Sequence, residues 1–404
     1  MRALLAVVGL FYRFRGELPR LPLLFLLSLV VSCQVPTADV KLTVVTALPP
    51  SVVTTLYRQI SPLAQELAKV NVEIIPLPEF TLKETVMATA AVGARPWDLA
   101  IVPSSWLRVL ARQQVIREVP GHHVQQIKDA TALLALLGVQ VDGRTMAYPI
   151  AADVVALIFN TSLVSKEPSC LAELAQLSLP PGIMPLALNL TEYSLALTLL
   201  ASAVGATTTL EKSKLPEALA ALRQQLSPVL GNSETWKLCL EPQAEAVFAQ
   251  LFAEQRLAAF IGSPKVLEVL AAAKVPFRVV PVPPPCPNCS APRPWASLLT
   301  AVVSVACPYP DLAQQVGLEL TIGQENLAMN LAMRTLPVLA GEESAKLLKD
   351  FPELFGFSRA LAAAQLTPLQ KEELEYEKWA KELSKILLFL PTAHSPASNA
   401  LRKR

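Results

Sequence analysis

The sequence predicts an α/β protein of two lobes followed by a helical C-terminus. Two blocks of the chain alternate short strand-like runs with helical periodicity, and a series of helices follows from Pro310 to about Leu388. The chain has 404 residues, of which 52% are hydrophobic. It is therefore long and apolar enough to build the cores of about two domains.

The first block predicts parallel βαβ units in a doubly wound sheet. Its elements, in order, are strand Val40–Ala47, helix Ser51–Lys69, strand Val70–Pro76, helix Leu82–Val92, strand Leu99–Val102 and a helix that begins near Ser104. Asp142 and Gly143 then signal a turn, after which Arg144–Ile150 and Val154–Asn160 are predicted to be consecutive strands.

The second block repeats the alternation of strands and helices. Its predicted elements are strand Pro185–Asn189, helices Glu192–Ser202 and Ala244–Glu254, strand Ala258–Ile261, helix Ser263–Ala273, strand Phe277–Pro283 and strand Ser297–Val305. Residues 389–404 are polar and end in basic side chains, so we expect a disordered tail there.

Charge and motifs exclude several classes of function. The 35 basic and 33 acidic side chains nearly cancel, so no electrostatic footprint for nucleic acid is present. The chain contains no Gly-x-Ser-x-Gly elbow, no HExxH motif and no glycine-rich phosphate loop. Glu372 and Glu373 lie in a charge-rich segment, which favours a solvated helix face over a catalytic pair. We therefore expect a protein that is not an enzyme and needs no cofactor or metal.

The N-terminus predicts export and a lipid anchor. Arg2, Arg13, Arg15 and Arg20 precede the uncharged apolar run Leu21–Ser32, which is shorter than the roughly 20 residues of a spanning helix. This pattern is typical of a secretory signal. Its end, Val30-Val31-Ser32-Cys33, resembles the lipobox of bacterial lipoproteins. We expect a signal peptide over residues 1–32, lipid on Cys33, a linker over 33–39, and a location on the extracytoplasmic face of the cytoplasmic membrane.

Cysteine and histidine spacing argues against a metal site. Cys286 and Cys289 lie in a proline-rich loop, but no second CxxC follows and the three histidines are scattered. A loop disulfide or inert thiols remain as the interpretations, and the pairing of Cys170, Cys239 and Cys307 stays open. His122 and His123 are expected to open a solvated helix.

Four stretches in order resemble the extracellular solute-binding family typified by the maltose-binding proteins of ABC importers. They are Lys41–Val45, Pro96–Leu107, Met146–Asn160 and Phe252–Pro264. The resemblance covers about Val40 to Leu388, and it lies behind a lipobox.

This resemblance implies a two-lobed periplasmic-binding-protein-like fold with hinges near Ile150–Val154 and Ala296–Ala301. Residues 40–150 plus about 302–350 would form the N-terminal lobe, and 151–298 plus about 351–388 the C-terminal lobe. A monomer would close on a small solute, without chemistry on that solute, and be recognised by the transmembrane subunits of an ABC permease.

The resemblance also implies which residues face the ligand. The ligand-binding candidates are Asp153, Glu192, Trp106, Tyr193, Ser105, Ser104, Thr46 and Lys265. Asp153 is the strongest of them, because a charge between two apolar strand segments is costly to bury unless it serves a contact. Trp106 could instead pack its helix on the sheet, and Glu192 could be only a helix-start carboxylate.

The solute class stays open at this point. Aromatic faces with carboxylates suit a sugar or oligosaccharide, which is the family's commonest solute. The departures from the family pattern, such as Lys265 where a tryptophan is common, leave a non-sugar solute, cationic solutes included, as the alternative. A sensor or a structural receptor could use the same fold.

Overall fold

Two β-sheets and the helices packed on them form the structure, a computed structural model that describes residues 41–92, 96–206, 212–230, 233–241 and 244–366. The predicted signal peptide with Cys33, the charged segment that holds Glu372 and Glu373, and the C-terminal tail lie outside these residues. No helix in the described ranges is both long enough and apolar enough to cross a membrane.

The strands of the described chain follow the predicted order. They are β1 (Lys41–Thr46), β2 (Asn71–Pro76), β3 (Leu99–Pro103), β4 (Gln140–Val141), β5 (Arg144–Thr145), β6 (Tyr148–Asp153), β7 (Ala156–Asn160), β8 (Ala187–Leu188), β9 (Ala259–Gly262), β10 (Phe277–Val280), β11 (Trp295–Val303), β12 (Leu336–Pro337) and β13 (Gln365–Leu366).

The α-helices connect these strands and cover their faces. They are α1 (Pro50–Ala68), α2 (Glu79–Val92), α3 (Leu107–Arg112), α4 (Gly121–Ala130), α5 (Leu133–Gly138), α6 (Tyr193–Ala203), α7 (Leu215–Leu230), α8 (Ser233–Cys239), α9 (Ala244–Ala253), α10 (Leu267–Ala273), α11 (Pro310–Ile322), α12 (Glu325–Met333), α13 (Glu342–Asp350) and α14 (Pro352–Ala363). Short 3-10 turns cover Ser104–Trp106, Leu171–Gln176, Lys212–Lys214 and Pro264–Val266.

The larger sheet has seven strands in the order β12-β6-β11-β3-β1-β2, with β13 paired to β11. β1 runs parallel to both β2 and β3, whereas β11 runs antiparallel to β3 and β6. Helix α1 forms the first crossover because its apolar side chains recur every fourth residue, at Val52, Leu56, Ile60 and Ala64, and all four are buried. The carboxyl ends of β1, β3 and β6 therefore meet at one edge of this sheet.

The smaller sheet has four strands in the order β10-β7-β9-β8. β7 is antiparallel to both neighbours, and β8 is parallel to β9. The rings of Phe252 on α9 and Phe260 on β9 are fully buried and meet edge to face with their centroids 5.3 Å apart. This contact fixes α9 against the sheet.

Two crossings join the sheets. β6 ends in the larger sheet at Asp153, and β7 begins in the smaller sheet at Ala156. The chain returns between β10 and β11 through a proline-rich loop that carries the Cys286–Cys289 disulfide. The crossings lie at or next to the two predicted hinges, while the hinge motion and the lobe boundaries stay predictions. The two-lobed α/β fold class is confirmed.

Several local expectations need correction. Arg144–Ile150 is not one strand, because β5 ends at Thr145 and β6 begins at Tyr148. The strand expected over Phe277–Pro283 ends at Val280, ahead of the prolines of the return loop. α4 is not solvated on every face, since His123 is 5% exposed and its Nδ1 is hydrogen-bonded to the Tyr148 hydroxyl at 2.8 Å. Cys170, Cys239 and Cys307 are buried thiols.

Candidate functional site

A cleft of about 540 Å³ opens at the edge of the larger sheet where β1, β3 and β6 end. Ligand pockets of proteins span about 300–1,000 Å³, so the cleft has the size of a small-molecule site. Residues from both sheets line it, since Lys265 and Glu268 follow β9 of the smaller sheet. In open α/β sheets this carboxyl edge is where ligands bind.

The end of β1 forms one wall of the cleft. Thr46 is fully buried, and its Oγ1 accepts a hydrogen bond from the backbone N–H of Leu48 at 3.1 Å. This bond turns the chain immediately after the strand. Pro50, whose fixed φ suits the first helical position, then starts α1. The predicted site residue Thr46 therefore lines the cleft mainly as the residue that shapes this turn.

Asp153 and Lys265 face each other across the cleft. The Nζ atom of Lys265 lies 3.2 Å from Oδ2 of Asp153, and the two side chains are 67% and 21% exposed. Asp153 is the last residue of β6, and Lys265 lies in the 3-10 turn after β9. The negative charge of Asp153 raises the pKa of Lys265 above its usual range, so the lysine is cationic at neutral pH. The ion pair thus connects the two sheets.

A second carboxylate supports the turn that carries Lys265. Oε1 of Glu245, on α9, accepts a hydrogen bond from the backbone N–H of Ser263. Burial raises the pKa of Glu245, and the nearby charge of Asp153 acts in the same direction. Glu245 therefore fixes the start of the turn Ser263–Val266, which places the Lys265 side chain over the cleft.

A buried polar network supports the opposite wall. The register between β6 and β11 shifts at Ile150, and the Ile150 carbonyl accepts hydrogen bonds from the side-chain amides of Asn326 at 3.0 Å and Asn330 at 3.2 Å. Thr335, which lines the cleft, donates its hydroxyl hydrogen bond to Oδ1 of Asn330 at 2.9 Å. The network joins α12 and the cleft wall to the strand that crosses between sheets.

The rest of the wall is largely aliphatic. Leu299 and Met333 contribute half-buried apolar surface beside the buried side chains of Leu82, Ile101 and Leu298, and no residue that the structure describes in this lining carries an aromatic ring. Charged groups at the lining besides the ion pair are Glu79, Glu268 and Arg334. The described surface can hold the apolar faces of a small polar molecule by aliphatic packing.

Several predicted site residues lie outside the cleft lining. Ser104 is buried and Ser105 is half-buried in the turn after β3. Trp106 is only 7% exposed, belongs to the core, and has Lys83 Nζ 5.7 Å from its ring centroid. Glu192 is exposed at the N-cap of α6. Tyr193 begins that helix, and its side chain is not part of the described structure.

Other lining residues were missed by sequence reasoning. Ser297 begins the predicted strand Ser297–Val305 and lies within the predicted hinge Ala296–Ala301, and that position could have marked it as a lining residue. Arg334 follows the last residue of α12 in the left-handed conformation with φ 54°, and no sequence pattern marked it.

The residues that the structure describes contain no cluster of three or more His, Cys, Asp or Glu that could hold a metal ion.

Comparison with known proteins agrees with this architecture. The maltotriose-binding protein of Pyrococcus abyssi is 23% identical over 319 residues, which cover 74% of this chain and 67% of that protein. The fold is similar to that of the Thermus thermophilus maltotriose binding protein bound with maltotriose, with TM-score 0.65, 21% identity and coverage of 87% and 95% of the two chains. A cyclo/maltodextrin-binding protein complexed with maltotetraose gives TM-score 0.70 at 17% identity, over 86% and 91%.

A family model described as bacterial extracellular solute-binding protein matches residues 60–356, which is 297 of the 404 residues. The family is one of solute-binding proteins and not of enzymes. The match covers the smaller sheet, the larger sheet apart from β1 and β13, the two crossings and most of the cleft lining. The chain belongs to the bacterial extracellular solute-binding protein family.

Proposed function

We propose that this protein binds a small oligosaccharide of the maltodextrin class in the cleft and delivers it, chemically unchanged, to the permease of an ABC importer. Three relatives support the solute class, since their names or ligands are maltotriose, maltodextrin and maltotetraose. The observation that carries the proposal is the cleft itself, which lies between two sheets joined by crossing strands. Ligand that contacts both sides favours a closed form, which the permease would recognise.

Asp153 is the proposed polar anchor of the ligand. Its side chain is mostly buried beside the crossing, and among the described residues its Oδ1 has no hydrogen-bond partner. A sugar hydroxyl that donates to Oδ1 would satisfy this atom, and a hydrogen bond to a charged group contributes about 1.5–3 kcal/mol. The apolar faces of the sugar rings would pack on the aliphatic wall.

A non-sugar solute is the second candidate. The observation that favours it is the lack of an aromatic ring among the described lining residues, because sugar sites commonly stack rings on the C–H faces of the ligand. Trp106, the tryptophan expected to serve this purpose, is packed in the core.

We propose that Cys33 carries the lipid that holds the protein at the outer face of the cytoplasmic membrane. Acyl chains contribute about 0.8 kcal/mol per buried CH₂, and more than one chain is needed for stable anchoring. Replacing Cys33 by serine should move the protein from the membrane fraction to the aqueous fraction. Retention of the Cys33→Ser protein in the membrane fraction would contradict the lipoprotein assignment.

Isothermal titration calorimetry with maltotriose, maltotetraose, amino acids and polyamines tests the ligand class. We expect heat of binding with the oligosaccharides, and a loss of about tenfold or more in affinity for Asp153→Asn, since 1.4 kcal/mol is a factor of ten. Asp350→Asn is the matched control, because Asp350 is an exposed carboxylate at the end of α13. Binding of another solute class alone would replace the sugar, and unchanged affinity in Asp153→Asn would remove Asp153 as a contact.

Uptake measurements separate transport from the other uses of the fold. Cells that lack this gene should lose uptake of labelled maltotriose, and a copy with Asp153→Asn should fail to restore it. Normal uptake in the deletion strain, together with tight binding by the purified protein, would indicate a sensor and not a transport component.

A further inference from the structure

Lys265 places a positive charge of the protein itself beside Asp153 in the cleft. The lysine comes from the smaller sheet, yet its Nζ lies 3.2 Å from the Asp153 carboxylate at the end of a strand of the larger sheet. A cation that approached Asp153 from solution would meet this ammonium group at Oδ2. It would have to displace Lys265 or bind beside a like charge, and both cost free energy.

Contacts of the neighbouring backbone fix the turn that carries Lys265 at the cleft. Glu245 accepts a hydrogen bond from the backbone of Ser263, two residues before Lys265. A Cβ atom on Gly262 would lie 3.0 Å from Oε1 of Glu245, so the turn and the carboxylate are in close contact. Asp153 at the end of β6 and Glu245 on α9 both attract the positive charge of Lys265.

The same geometry leaves one site for a hydrogen-bond donor. Oδ2 of Asp153 is occupied by Lys265, whereas Oδ1 is buried and accepts no hydrogen bond from any residue that the structure describes. Where the cleft opens enough to uncover Oδ1, a neutral hydroxyl group can donate to it without displacing Lys265 from Oδ2. A buried acceptor with no partner is unfavourable, so a ligand hydroxyl that reaches this atom would relieve that cost.

We propose that Lys265 is a specificity-determining residue, which neutralises Asp153 across the cleft and thereby admits neutral, hydroxyl-bearing solutes while rejecting cationic ones. This inference rests on the proposed function and narrows its ligand class. It excludes the cationic solute that the carboxylates of the cleft alone would suggest.

The other charges at the cleft do not reverse this selection. Glu79 also attracts Lys265, and both it and Glu268 are exposed, so solvent and salt screen them strongly. Arg334 adds a second positive charge to the lining. Asp153 is therefore the mostly buried carboxylate of the lining, and Lys265 controls its availability.

The test compares a neutral ligand with a cationic ligand of nearly the same shape. The probes are maltotriose and three monoamino derivatives, each with one primary hydroxyl replaced by an amine, which is protonated at neutral pH. Calorimetry gives the ratio of affinities, neutral over cationic, for the wild type and for Lys265→Gln, which keeps a polar side chain without the charge. Lys265→Arg keeps the charge, and Lys346→Gln removes an exposed lysine of α13 that does not line the cleft.

We expect the wild type to favour maltotriose over every amine, and Lys265→Gln to reduce the best of these ratios by about fivefold. That change equals about 1 kcal/mol, the upper range for a partly exposed ion pair. Lys265→Arg and Lys346→Gln should keep the wild-type ratio. An unchanged ratio in Lys265→Gln, with maltotriose still bound, would overturn this inference and leave the proposed function standing. Preference of the wild type for an amine would also overturn it. No binding of any of these probes would overturn both.

Discussion

Replacing Gly317 by alanine tests how closely α11 packs on the crossing strand β6. A Cβ atom at this position would lie 2.5 Å from Cδ2 and 2.8 Å from Cε2 of Tyr148. Tyr148 is 1% exposed, and its hydroxyl is hydrogen-bonded to His123 Nδ1. Since ordinary contacts between carbon atoms are about 3.5–4.0 Å, the ring or the helix must move by about 1 Å.

Two opposing effects set the size of the change. Alanine in a helix interior gains about 1 kcal/mol over glycine. Overpacking a core costs about 1–3 kcal/mol, and weakening the hydrogen bond between Tyr148 and His123 costs about 1 kcal/mol more. We therefore expect Gly317→Ala to lower the free energy of unfolding by about 1–3 kcal/mol, although alanine is the better helix former.

Urea unfolding followed by circular dichroism measures this free energy. The control is Gly121→Ala at the first residue of α4, where an added Cβ meets nothing within 4 Å. This control should be neutral or slightly stabilising. If Gly317→Ala were as stable as the wild type, the close approach of α11 to Tyr148 would be wrong, and with it the packing that holds β6 in place.

The remaining predictions concern titration and the disulfide. Burial, reinforced by the charge of His122, lowers the pKa of His123, so the unfolded chain binds more protons than the native state below about pH 6.5. The free energy of unfolding should therefore fall as pH decreases below about 6.5, with His123 contributing at most about 1.4 kcal/mol per pH unit. Urea unfolding at a series of pH values should show this decrease in the wild type and a smaller one in His123→Gln. An equal pH dependence in both proteins would contradict the assignment. Replacing Cys286 and Cys289 by serine opens a loop with sequence separation 3, for which chain entropy predicts a loss of about 2 kcal/mol in the free energy of unfolding. A thermal scan of the double variant beside dithiothreitol-treated wild type measures this loss, and no change in either sample would show that the loop is held by its other contacts.

Local patterns were sufficient to predict most elements of the fold. The four-residue spacing of Val52, Leu56, Ile60 and Ala64 specifies a helix with one apolar face wherever the chain places it. The short continuous apolar run at Leu99–Val102 is typical of a strand that is buried on both faces. The prediction of one strand over Arg144–Ile150 was wrong, because hydrophobicity alone does not show where the pairing of β5 ends and that of β6 begins.

The lining of the cleft was predicted less completely than the fold, since its residues are distant in sequence. Trp106 follows a strand at a position that suits a ligand contact, but the side chain turns into the core. Arg334 and Thr335 reach the cleft because Asn326 and Asn330 bind the Ile150 carbonyl, a long-range contact that no local pattern signals.

The sequence by itself determined the order of strands and helices, the two-lobed class and the candidacy of Asp153, because these depend on periodicity and on the cost of a charge among apolar residues. Only the tertiary structure decided that Lys265 neutralises this carboxylate, that Glu245 holds the turn of the lysine, and that Trp106 is core. The reason is physical: Asp153 and Lys265 are far apart along the chain, and only the pairing of strands within each sheet and the two crossings between sheets place their charged atoms 3.2 Å from each other.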